Sequence, residues 1–275
     1  MILDTHVHFW EFDPVRDAWI DDSMRSLQRD FSPADWRQAI RGLGVSGCMA
    51  VQADQSEAET EYLIGLAEVH PEIKGVIGWL DLRRADLPGR LDYFSQHSRL
   101  KGLRHVVQAE ASGFMLQSDF QKGIAQLANR NLIYEILIYA PQLAEALELV
   151  RAFPNQRFIL DHLGKPNIRH GGFDPWSRDL AALAAQDNCS CKLSGMVTEA
   201  DWHTVTTADL EPYAQHALEC FGPGRLLYGS DWPVCRLAAP YPEVVSMARE
   251  LMAGLSATEQ KRIFYDNAVS FYNLS

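Results

Sequence analysis

The sequence predicts a (β/α)8 barrel of the TIM type, one domain over residues 1–275, and three observations carry the prediction. Short β-rich apolar runs recur eight times along the chain. Most are followed by polar segments whose apolar residues fall three and four apart, the period of a one-sided helix. No linker or low-complexity stretch interrupts the 275 residues, a length at which such barrels are commonly one domain. Strict alternation of β and α elements calls for a parallel sheet, and eight units close it into a barrel.

The first strand is ILDTHVH (2–8). An aromatic, acidic insertion from Trp10 to about Ser32 follows, expected over the barrel mouth, and Pro33 opens the next helix. The second strand, SGCMAVQA (46–53), leads into the helix SEAETEYLIGLAEVH (56–70). IKGVIGWLDL (73–82) and LKGLRHVVQ (100–108) are the third and fourth, the latter followed by the helix SDFQKGIAQLANR (118–130). The fifth, LIYEILIYA (132–140), runs into APQLAEALELVRAF (140–153), with Pro141 at the helix start. RFILDHLGK (157–165) and CSCKLSGMV (189–197) are the sixth and seventh. RLLYGSDWP (225–233) is the eighth, before the helix YPEVVSMARELMAGL (241–255), which Pro242 starts.

Composition narrows the partners. Lys and Arg total 25 against 36 Asp and Glu, a net charge of −11, and no basic stripe offers counterion release to nucleic acid. No apolar run approaches the roughly 20 residues that span a bilayer, so no membrane association is expected. The start MILDTH lacks a charged and apolar leader pattern, and a cytoplasmic address is expected. Five cysteines without CxxC spacing point neither to a disulfide framework nor to structural zinc, and Cys189 and Cys191 read as small strand residues. The acidic surface is compatible with a monomer or a homodimer.

In such a barrel the chemistry gathers at the C-terminal strand ends. Those ends carry His6 and His8, Gln52 and Asp54, Asp81, Arg104 and His105, Glu135, Asp161 and His162, Ser194, and Asp231. Residues i and i+2 of a strand share a face, so both imidazoles of HxH look into one space. With His162 and Asp231 they make a set that either a divalent metal or a hydrolytic acid–base centre would use. Asp231, in GSDWP, stands at the rim as a candidate general base. Arg104 offers a fixed fork of donors for a carbonyl or an oxyanion, or for an ion pair with Glu135 or Asp231 that stiffens the mouth. Trp10 and Trp232 flank these groups and offer flat faces to a ring. There is no GxSxG elbow and no phosphate-binding glycine loop.

DTHVHFW, KGLRHVVQ, RFILDHLGKP, CKLSGMVTEADW and YGSDWPVC together resemble the amidohydrolase superfamily over nearly the whole chain, and within it the sugar-acid lactonase branch with L-fuconolactonase-like and L-rhamnonolactonase-like members. The resemblance implies a hydrolase that opens a sugar lactone with water. It places Asp231 as water activator, with His6, His8, His162 and Arg104 around the carbonyl and leaving oxygen. A polyhydroxy substrate needs hydrogen-bonding partners, for which Gln52, Glu135 and Ser194 are candidates beside Trp10 and Trp232. The superfamily's binuclear members carry a bridging lysine on strand four or five; here strand five offers Glu135, and Lys101 lies near the start of strand four, so two metals are not expected. The cofactor expectation is none, with fixed donors replacing a Lewis acid, or a single divalent cation, zinc first, on His6, His8 and Asp231 with Glu135 or His162 assisting. The alternatives are a mononuclear-metal amidohydrolase or non-oxidative decarboxylase on the same barrel, and a non-catalytic sugar-acid-binding barrel.

Overall fold

Eight parallel strands follow one another round the sheet in chain order, β1 to β8, in a computed structural model that describes residues 1–274. They are β1 (Ile2–Val7), β2 (Val45–Val51), β3 (Ile73–Gly78), β4 (Leu100–His105), β5 (Ile133–Ile136), β6 (Phe158–Leu160), β7 (Cys189–Leu193) and β8 (Leu226–Tyr228). A helix lies in each interval, among them Glu57–Val69, Leu143–Ala152 and Thr207–Phe221, and Tyr241–Leu251 follows β8. Among the described residues no helix is long and apolar enough to cross a membrane.

The seam between β8 and β1 is a single parallel bridge, Val7 to Trp232. The His8 N–H donates to Trp232 O at 2.7 Å and the Asp231 N–H to His6 O at 2.9 Å. Closure of the barrel therefore sets the HxH segment directly beside Asp231.

Side chains alternate between two cores, as the pleat requires. Leu3, Met49, Ile77, Ile133, Ile159 and Leu227 fill the barrel interior, closed below by Tyr272. Outward residues such as Cys48, Tyr134, Leu160, Cys189 and Cys191 pack under the helices. Both cysteines of CSC thus fill strand positions, as expected. The five thiols are all free.

One irregularity decides the phase of β1. Asp4 pairs with Cys48 and Val7 with Ala50, so three steps on β1 oppose two on β2, which is a β-bulge. The extra residue re-phases the strand. Leu3 faces in, Asp4 faces out to accept from Tyr241 Oη at 2.8 Å, and His6 and His8 both face in.

The strands are shorter at their C-terminal ends than the apolar runs suggest. After Leu160 the chain enters a left-handed stretch, with φ of 53° at His162, 56° at Leu163, 69° at Gly164 and 50° at Lys165. Such backbone cannot continue a ladder, so the sixth run stops well short of Lys165. Asp231 is likewise left-handed, at φ 60°. The helix read from 140 begins as a 3-10 turn, Ala140–Gln142, before Leu143–Ala152, and the one read over 118–130 is regular only over Ser118–Ile124.

Candidate active site

The bulge and the seam bring five of the strand-end residues together. His6 Nε2 lies 3.2 Å from His8 Nε2, and the two rings meet edge to face. Asp231 Oδ1 sits 3.5 Å from His8 Nε2, 3.7 Å from His6 Nε2 and 3.9 Å from His162 Nε2. Arg104 Nη1 donates to His6 Nε2 at 3.0 Å and to Asp161 Oδ2 at 3.0 Å. Its Nη2 donates to Gln52 O, and its Nε–H, buried, has no protein partner.

Each histidine is held by a second contact. His8 Nδ1–H donates to Val51 O at 2.7 Å, which leaves its Nε2 lone pair facing Asp231 and His6. His162 Nδ1 lies 2.8 Å from Ser194 Oγ. Gly195 and Gly229 are required at this spot: a Cβ on Gly195 would fall 2.5 Å from His162 Nδ1, and one on Gly229 2.8 Å from His6 Cβ. Burial lowers all three imidazoles below their ordinary range, His162 to about 4, so they are neutral near pH 7. Burial alone would raise Asp231; His162, His8 and His6, whose ring edges face it, outweigh that and hold the carboxyl below its ordinary range.

Beneath this cluster lies a charged layer. Lys192 Nζ, fully buried on β7, contacts Glu135 Oε2 at 2.5 Å, Asp161 Oδ1 at 3.1 Å and His6 Nδ1 at 3.1 Å. Glu135 Oε1 accepts from Tyr272 Oη at 2.8 Å. Burial pushes Glu135 up to about 7 against the pull of Lys192. Asp161, equally buried, is held well below the usual carboxylate range because Lys192, His6 and Arg104 all face it.

A cavity of about 340 Å³ opens above, with His8, Arg104, His162 and Asp231 on its floor. Arg16 and Trp19 of the insertion after β1 form part of its wall, in line with the expected position of that segment. The remaining expected substrate contacts stand elsewhere. Trp10 is buried, donating through Nε1 to Arg29 O and packing on Phe31. Trp232 is buried against Phe9 and Phe31. Neither indole lines the cavity: Trp10 lies beyond the end of β1 and is bridged to Phe31 of the insertion, and Trp232, one residue past Asp231, points to the opposite side. Gln52 braces Arg104, Ser194 braces His162, and Glu135 lies a layer below; all three act on the site through other residues.

Lys192 was not among the expected site residues. Its signal is present in CSCKLSG: a lysine between outward-facing Cys191 and Leu193 must point into the barrel, where an amine is rare unless paired. Asp161, beside His162, carries the same kind of signal.

His6, His8 and Asp231 form a group whose ligand atoms lie within 4.8 Å of one another. Their separations of 3.2, 3.5 and 3.7 Å approach the edge of about 3.4 Å that a tetrahedron with zinc–ligand bonds of about 2.1 Å requires. The donor set fits one divalent cation. A second group, His6, Asp161 and His162, shares His6, and its carboxylate already faces both Arg104 and Lys192.

The amidohydrolase family profile matches residues 3–274. The chain belongs to the amidohydrolase family. It is 36% identical to an L-fucono-1,5-lactonase of Burkholderia multivorans, covering 99% of this chain and 96% of that one. An L-rhamnono-gamma-lactonase of Scheffersomyces stipitis is 24% identical over 66% of this chain and 61% of its own. A crystal structure of a Burkholderia multivorans amidohydrolase with bound zinc superposes with a TM-score of 0.96 at 35% identity, covering all of both chains. This amidohydrolase thus has the architecture its sequence predicts, down to the single barrel domain.

Proposed function

We propose that the protein hydrolyses a sugar-acid lactone, an aldonolactone of the L-fucono or L-rhamnono kind, to the open-chain acid. The observation that carries the reading is the Asp231 carboxylate, within 3.9 Å of ring nitrogens of three histidines at the floor of an open cavity. The names of the relatives favour a lactone over an amide or a carboxylic acid to be decarboxylated.

Asp231 accepts a proton from a water, whose oxygen adds to the lactone carbonyl. Arg104, on the cavity floor with its guanidinium fixed by Gln52, Asp161 and His6, donates to the developing oxyanion, where a preorganised charge is worth most. As the ring C–O bond breaks, the alkoxide needs a proton. His162, neutral at working pH, holds none to spare, so Asp231 returns the one it took. The product carboxylic acid ionises, releasing one proton per turnover to solvent. His6 does not line the cavity; it accepts from Arg104 and holds the guanidinium in place. A single divalent cation on His6, His8 and Asp231, zinc first, would when bound polarise the carbonyl and acidify a water.

The test is a pH-indicator screen of aldonolactones with and without chelator. Acid release above the spontaneous rate supports the reading, and its absence from every aldonolactone rejects it. Loss of activity in chelator, restored by zinc, assigns the cation a catalytic part; full activity in chelator assigns the work to the side chains alone.

A further inference from the structure

Two glutamines on the cavity wall are used by nothing described so far. Gln55, just beyond β2, accepts the Val106 N–H on its Oε1 at 2.8 Å. That bond fixes which end of the amide is which, because a backbone N–H needs an acceptor. The Gln55 Nε2H2 group therefore remains a donor without a protein partner among the described residues.

Gln108 stands two residues beyond Val106, in a 3-10 turn (Val107–Ala109) that follows β4. Its backbone is pinned, its own N–H donating to Leu137 O at 3.0 Å and Gln142 Nε2 donating to Val107 O at 3.0 Å. Its side chain is not: Oε1 is buried and unpartnered, and the carboxamide makes no hydrogen bond to the protein among the described residues. A buried amide end with nothing to bond costs stability in the empty protein. Gln55 and Gln108 line the same cavity as Arg104 and Asp231.

We infer that Gln55 and Gln108 form the subsite that reads the ring hydroxyls of the substrate. Gln55 Nε2 donates to a hydroxyl oxygen, and the Gln108 carboxamide, which no protein hydrogen bond holds in one orientation, bonds a second hydroxyl, the pairing that a polyol presents and an alkyl ring does not. A site built to bond a hydroxyl discriminates against the analogue lacking it, because its own polar groups are then left unpaired. The inference rests on the lactonase reading and adds to it that specificity resides in this pair rather than in the buried indoles of Trp10 and Trp232.

The experiment compares kcat/KM for a hydroxylated six-membered aldonolactone with that for δ-valerolactone, the same ring without hydroxyls. Wild type is set against Gln108→Met, which keeps the volume, and Gln108→Ala. The ratio of the two kcat/KM values is expected to fall roughly 10-fold in both variants, through KM more than kcat. An unchanged ratio overturns the inference, even if both activities drop together. If wild type opens neither lactone, the lactonase reading fails on its own account. Calorimetric titration of the open-chain aldonic acid then decides the subsite, and equal affinity for wild type and Gln108→Met overturns it.

Discussion

Lys192 Nζ stands 2.5 Å from Glu135 Oε2, and neither side chain is exposed to solvent. The pair spans from β7 to β5 under the active site and is tied to His6 and Asp161 on one side and to Tyr272 on the other. Two charges taken out of water interact strongly, and removing one leaves the other uncompensated.

Lys192→Met is therefore expected to destabilise the protein by about 3–5 kcal/mol, read by urea unfolding. Adding Glu135→Gln neutralises the orphaned carboxylate, and the double variant should be more stable than the single. Strict additivity of the two changes would contradict the pairing.

Asp231→Asn keeps shape and tolerates the left-handed backbone at φ 60°, where Asn is one of the few residues at ease. Its circular dichroism and melting should stay close to wild type, while kcat on a lactone falls by about 10²-fold or more. A variant retaining a tenth of wild-type kcat removes Asp231 from the role of base.

His162 is lowered by burial from 6.5 to about 4, so between those values the unfolded chain binds the proton that the folded one refuses. This term makes stability rise with pH over that window. Glu135, raised from 4.5 to about 7, acts with the opposite sign between 4.5 and 7, so the difference from a variant is the clean measure. In chelator-treated protein, His162→Gln should gain about 2–3 kcal/mol less than wild type between pH 4 and 6.5 in urea melts. Parallel pH profiles would show that His162 is not held neutral.

The donor geometry predicts the metal count. Zinc added to chelator-stripped protein should bind at one equivalent per chain by equilibrium dialysis with elemental analysis, and His8→Ala should weaken it. Asp161 is engaged by Arg104 and Lys192, which leaves no free carboxylate for a second ion. Two tight equivalents would refute this.

Gly195→Ala would place a methyl group 2.5 Å from His162 Nδ1, on backbone at φ 65°. The His162–Ser194 bond has to give way. A loss of about 1–3 kcal/mol in stability is expected, with a lower kcat at saturating lactone. An unshifted melting temperature would mean that the ring moves aside freely.

Much of this was legible beforehand because barrels impose one rule: strand ends converge. The HxH spacing, KGLRH, LDH and GSDWP each named a residue that the fold then set on the cavity floor or directly beneath it. What escaped was whatever depends on side-chain phase rather than position. Trp10 and Trp232 flank the right residues, but Trp10 is drawn off by its pairing with Phe31 and Trp232 alternates away from Asp231. The bulge between Asp4 and Val7 has no signature in the letters, yet it is what turns His6 and His8 inward together. Lys192 is overshadowed by the two more conspicuous cysteines just before it. Gln55 and Gln108 lie in turns after strands, where no periodicity singles a residue out.

The seam between β8 and β1 also sets a timetable. His8 and Asp231 are 223 residues apart in the chain, so at 5–20 residues per second the histidines wait roughly 10–45 s before their carboxylate is synthesised. Val7 meets Trp232 in the same act that sets Asp231 against His6 and His8. A ribosome-bound or half-made barrel accordingly holds no assembled centre, and activity arrives all at once with the last strand, as a report that the chain has closed.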